Sequence, residues 1–166
     1  DVYPRLLSRE AKAGRLEFIR EMKETIRLLG NHPSIAAWVI FNEGWGQFQT
    51  EDMTRIVRRL DPNRLIDQAS GWFDQGGGDF SSLHNYFFKL FIRPERERAS
   101  VLSEFGGYSY REPGHCAKEK LYGYGICKNK KDLEKRFLER WSGVRNLIPQ
   151  CFSSCIYTQW TDVEEE

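Results

Sequence analysis

From Ile35 to Phe41 the chain reads Ile-Ala-Ala-Trp-Val-Ile-Phe, seven apolar residues with no polar break and no alternation. A strand with one wet face alternates, so an unbroken run of this kind predicts a strand covered on both faces. A buried helix would give a similar run, but this one is short and follows the turn Gly30-Asn31-His32-Pro33. Doubly covered strands belong to parallel sheets flanked by helices, and the flanking segments carry the helical period. Between Gly14 and Leu29, residues Ile19, Met22, Ile26 and Leu29 recur at helical spacing, with Arg20, Glu21, Lys23, Glu24 and Arg27 between them. Thr50 to Leu60 places Met53, Ile56, Val57 and Leu60 on one stripe, with Glu51 and Asp52 in the first turn and Asp61-Pro62-Asn63 as the stop.

The alternation continues. Arg64–Ala69, Ser82–Phe87, Ser100–Phe105 and Phe152–Gln159 read as further strands, and Asp132–Leu147 as a helix with Leu133, Phe137, Trp141, Val144 and Ile148 inward. Gly106 to Lys131 is rich in Gly and Tyr without a period, longer than most plain connections, and is expected to be a functional loop. Gly76-Gly77-Gly78 lacks the spacing and the following helix of a phosphate loop and reads as a flexible loop. Strand and helix in turn define an α/β fold with parallel strands. A complete (β/α)8 barrel needs ~250 residues, so five strands make either a piece of a barrel or a smaller open sheet.

Composition removes several classes. Lys and Arg number 25 against 24 Asp and Glu, a net charge of +1, which gives nucleic acid no basic surface. No run approaches the ~20 apolar residues that span a bilayer. Neither a dinucleotide fingerprint nor a Ser-His-Asp pattern is present, and no cofactor or metal set is expected. Cys116, Cys127, Cys151 and Cys155 lack zinc spacing, and Cys151 and Cys155, four apart on one strand, would lie about 13 Å apart. All four are expected to be buried or half-buried free thiols.

Chemistry gathers at the strand ends. The first strand closes on Asn42-Glu43, the fourth on Ser103-Glu104 and the last on Gln159-Trp160-Thr161-Asp162. A carboxylate following Trp38-Val39-Ile40-Phe41 is costly in apolar surroundings unless it is used or paired. Two carboxylates at one rim are the equipment for hydrolysing a glycosidic bond, one as proton donor and one as nucleophile. Taken alone, a glutamate at a strand end is as often an ion-pair partner as a catalyst.

The local wording goes further. Asn31-His32-Pro33-Ser34-Ile35 with Trp38 and Asn42-Glu43 resembles the acid/base segment of glycoside hydrolase family 2. Ser103-Glu104-Phe105-Gly106-Gly107 resembles that family's nucleophile segment, and Ile156 to Asp162 its eighth barrel strand. The three occur in the family's order and cover roughly residues 14 to 166. The resemblance implies a partial (β/α)8 TIM barrel, approximately strands four to eight with their intervening helices. Residues 1–166 would be the second half of the catalytic barrel, with the earlier strands and the preceding β-sandwich domains absent.

By the same resemblance Glu43 is the acid/base and Glu104 the nucleophile of a retaining, β-galactosidase-like glycosidase acting on a carbohydrate substrate. Asn42 would bond the sugar 2-hydroxyl. Tyr86 would sit beside the nucleophile, or pack as a rim tyrosine on a loop. Trp160 would floor the sugar site, or be a core tryptophan, and Trp45 would line the leaving-group side, or cover the barrel mouth. His84 and Asn85 are polar near the same strand end and are held as supporting groups; His32 belongs to the turn. A half barrel leaves open sheet edges, so the chain alone is expected to be inactive and to self-associate. The contrary reading is a non-catalytic α/β carbohydrate-binding or structural fragment whose glutamates only support the fold.

Overall fold

The computed structural model describes residues 7–116, 119–159 and 161. Helix α1 spans Lys12–Leu29, strand β1 Ala37–Asn42, helix α2 Thr50–Leu60, strand β2 Leu65–Ser70 and strand β3 Phe80–Asn85. Strand β4 follows at Ala99–Gly106, then β5 Tyr108–Ser109, β6 Gly125–Ile126, helix α3 Lys130–Arg145, a 3-10 turn Ile148–Gln150 and strand β7 Phe152–Thr158. Every long element predicted from the sequence is present, with ends shifted by a few residues. The strands form sheets in the orders β1–β2, β3–β4–β7 and β5–β6. The pairs β1/β2, β4/β7 and β5/β6 are parallel. Among the described residues these sheets do not close into a barrel.

The chain divides into two compact units. The first holds the described residues up to Ser82 together with Glu95–Ala99. Its core joins Ile26 of α1, Met53 and Val57 of α2, Phe41 of β1, Ile66 of β2 and Phe48 of the loop between β1 and α2. Pro33 keeps α1 from continuing, and the Gly30 amide closes its last turn on the Ile26 carbonyl at 2.8 Å. His32 lies in the turn as expected. Arg64 fastens that turn, donating to the carbonyls of His32 and Ile35 while pairing with Asp61, which also accepts the Trp38 indole N–H at 2.9 Å. The Trp38 bond, then Arg64, holds the Asp61 carboxyl below the usual carboxylate range.

Two expectations need correcting in this unit. The apolar run of β1 is not covered on both faces. Trp38 and Ile40 pack on the helices, but Val39 is 58% exposed. The strand covered almost throughout is β2, which carries polar Asp67, Gln68 and Ser70 into the interior. They are held there by specific bonds, including Ser82 Oγ to Asp67 at 2.6 Å and the Gln68 amide to Thr54 at 2.9 Å. Nor is the triple glycine a mere flexible loop, because a Cβ at Gly77 would occupy the space of the Gln68 side chain, whose Oε1 accepts the Gly77 amide.

The second unit holds Leu83–Pro94 and the described residues from Ser100 onward. Leu83, Leu90, Ile92, Leu102, Phe105, Val144 and Leu147 make its core, with Phe152, Cys155 and Tyr157 packed against them. Helix α3 begins before the predicted Asp132, because Asn129 caps it and accepts the Asp132 amide, while Asp132 accepts the Lys128 amide. Its predicted inward stripe is mostly outward. Only Val144 is buried, and Phe137 and Trp141 stack on each other near the surface. All four cysteines are free thiols, but Cys151 is exposed and precedes β7 rather than lying within it.

Candidate active site

In the first unit, β1 ends at Asn42, paired with Ser70 of β2, and Glu43 follows directly. Glu43 adopts φ 56°, the left-handed region that side chains with a Cβ avoid. Its amide is fixed on the Ser70 carbonyl at 2.9 Å. The turn then closes through Trp45 N–H to Asn42 O at 3.1 Å and Gln47 N–H to Gly44 O at 3.2 Å. Gln47 is fully buried, and its side-chain amide donates to the Phe73 carbonyl at 2.9 Å. The surroundings therefore over-determine the strained backbone. A strained, over-determined residue at a strand end is a functional candidate. Trp45 lies on this turn and is 67% exposed, and Asn42 is also exposed.

In the second unit, Glu104 lies near the end of β4 with its side chain 30% exposed. The Tyr86 phenol donates a short hydrogen bond to Glu104 Oε2. His84 Nδ1 stands 3.5 Å from the same oxygen, its own side chain fully enclosed. Tyr86 directly follows Asn85, the last residue of β3. Burial, and then the bond to Glu104, push the Tyr86 phenol well above its ordinary range. Both causes favour its protonated, donating form.

Asn85 fastens the turn that follows Tyr86. Its amide donates to Lys89 O at 3.1 Å and accepts the Phe88 amide at 3.0 Å, which closes the turn after β3. Trp160 lies outside the described residues.

Two residues that sequence reasoning passed over complete this cluster. Tyr124 stacks on Tyr86 with ring centroids 3.6 Å apart and planes 8° apart. Arg140 of α3 donates to the carbonyls of Tyr86 and Phe88 and to the Tyr108 hydroxyl. The Gly- and Tyr-rich wording of the 106–131 loop was the only signal for Tyr124; Arg140 left none.

Helices alternating with parallel strands, and a half-exposed glutamate at a strand end beneath a protonated phenol, define an α/β protein with a carboxylate site. The family model described as "Glycosyl hydrolases family 2, TIM barrel domain" matches residues 7–104, more than half of the chain, and the chain belongs to that family. The matched stretch ends on Glu104 and includes Glu43. No curated protein matches the chain.

Proposed function

We propose that this chain is the second half of the catalytic barrel of a retaining β-glycosidase, contributing strands four to eight, with β-galactosides as the first substrates to test. Glu104 is the nucleophile and Glu43 the acid/base. The observation that carries the reading is the strand-end carboxylate of Glu104 under the Tyr86 phenol, in a chain of a glycoside hydrolase family.

In the first step a Glu104 oxygen attacks the anomeric carbon while the bond to the leaving oxygen breaks and Glu43 transfers its proton to that oxygen. In the second, the Glu43 carboxylate takes a proton from water, which attacks the anomeric carbon and releases Glu104. Two inversions give net retention, and the chemistry requires the two carboxyl groups roughly 5–5.5 Å apart in the working enzyme. In this reading Asn42 bonds the sugar 2-hydroxyl, Trp45 lines the leaving-group side and Trp160 floors the sugar site. Catalysis belongs to the longer protein, and the chain alone is inactive.

The test uses the full-length protein and a panel of aryl β-glycosides. Glu104→Gln and Glu43→Gln are each expected to reduce turnover by at least ~10³-fold, judged against losses seen when a catalytic group is removed. A 2-deoxy-2-fluoro glycoside with a good leaving group should label Glu104, as read by peptide mass. Unchanged turnover in both variants would return the glutamates to a structural role.

A further inference from the structure

The Tyr86 phenol is useful to Glu104 only in one orientation, and its ring is held by contacts outside β3 and β4. One face lies flat on Tyr124 at 3.6 Å. Tyr124 is fixed in turn: its amide donates to Gly107 O at 2.8 Å, and the Gly107 amide donates to Thr158 O at 2.6 Å. Gly107 sits at φ 65°, where a Cβ would run into the Tyr124 ring and press on Tyr86. The edges of Phe87 and Tyr122 brace Tyr124, at 5.3 and 5.9 Å between centroids. The loop carrying Tyr124 lies beyond the residues that the family model matches.

We infer that Tyr124 is a positioning residue of the active site, holding the Tyr86 phenol on Glu104 by stacking. The inference rests on the reading of Glu104 as nucleophile. On this inference Tyr124 acts through Tyr86, on whose ring it stacks, and not on the reacting atoms. Stacking requires a flat ring and not a hydroxyl, so the contribution should survive removal of the Tyr124 oxygen and vanish with the ring. A hydrogen bond to Glu104 weakens as its charge is lost to the glycosyl bond and strengthens as the charge returns in the second step, so its loss slows release of the glycosyl group and lowers kcat.

The experiment is a double-mutant cycle in the full-length protein. Tyr86→Phe, which removes the donor, is expected to lower kcat roughly 10- to 100-fold, as for one hydrogen bond to an ionised group. Tyr124→Leu should lower kcat and shift KM by the same factors as Tyr86→Phe, because it disables the same bond. Tyr124→Phe should restore wild-type turnover, and Tyr86→Phe with Tyr124→Leu should be no worse than Tyr86→Phe alone. Should Tyr124→Leu fail to fold, Tyr124→Met takes its place in the cycle.

Wild-type turnover in Tyr124→Leu, or losses that multiply in the double variant, would overturn the inference. Labelling of wild-type Glu104 by the fluoro glycoside separates the two claims. Labelled Glu104 with a multiplicative cycle defeats only the role of Tyr124, whereas wild-type protein without label on Glu104, together with a fully active Glu104→Gln variant, defeats the reading beneath it.

Discussion

At the scale of single residues, the most distinctive chemistry is a pair of phenols that resist ionisation. Burial is the first cause for both Tyr86 and Tyr157; Glu104 adds to it for Tyr86, and Tyr108 for Tyr157. An unfolded tyrosine ionises near pH ~10, so above that value the unfolded chain releases protons that the folded chain keeps. Stability contributed by these two groups is therefore whole below pH ~10 and declines as the pH rises toward their folded values. Alkaline titration followed by phenolate absorbance should show late ionisation of Tyr86 and Tyr157, together with loss of ellipticity. Tyr86→Phe and Tyr157→Phe should each remove one late step. A titration curve that neither substitution changes at its alkaline end would show that neither ring is held as described.

Residue-scale chemistry was partly legible before any fold was known. Glu43 and Glu104 stand out because one follows an apolar strand and the other lies near the end of a strand, which is a pattern of local order. The left-handed backbone of Glu43 was invisible, because Asn-Glu-Gly fits many turns. Tyr124 and Arg140 were missed for another reason: both act on Tyr86 from distant points of the sequence, and neither a hydrophobic period nor a short motif encodes such a contact.

At the scale of elements, the periods worked where burial was one-sided and continuous. Helix α2 matches its predicted ends because capping charge and apolar stripe agree: Glu51 and Asp52 open it, and Arg58 and Arg59 close it. Helix α3 was misread in its stripe, since Phe137 and Trp141 stack on each other and Phe137 meets the edge of Tyr157 beside the core, with neither ring buried. The strands β5 and β6 have two residues each and rest on cross-loop bonds, such as Cys127 N–H to Ser109 O at 2.7 Å, which leave no period to find. β2 shows the converse, polar residues that a hydrophobic pattern would place outside but that bonds hold within.

Arg98 ties together the loop between β2 and β3. It meets both oxygens of Asp74 at 2.7 Å, reaches Glu95, and donates to the carbonyls of Gly77 and Phe80. With only 7% of its side chain exposed, its removal strands acceptors that water reaches poorly. Arg98→Met should cost about 2 kcal/mol, below the figure for a fully buried pair because Asp74 and Glu95 are partly solvated. Urea unfolding followed by tryptophan fluorescence measures it. A change under ~0.5 kcal/mol would class the cluster with ordinary surface pairs.

At the scale of the whole molecule, exposed apolar surface decides how the isolated chain behaves. In the first unit β1 has β2 as its sheet neighbour among the described residues, Val39 faces solvent, and an apolar groove of about 250 Å³ opens between α1 and β1. Phe18, Met22, Ile26, Trp38, Ile40 and Val57 are among its lining residues. In the second unit Phe87, Phe88 and Ile156 are exposed. Scattered single apolar residues are normal on a surface, but an apolar strand edge beside an apolar groove invites a second chain. The isolated chain should therefore self-associate, with a sedimentation coefficient that rises with concentration. Val39→Lys places a charge on the outward face of β1 and should shift the population toward monomer while leaving the far-ultraviolet spectrum unchanged. If the parent chain sediments as one ideal monomer and unfolds in a single cooperative step, the exposed edge carries no such consequence. If it associates and Val39→Lys changes nothing, the association runs through another surface and the β1 edge is not its cause.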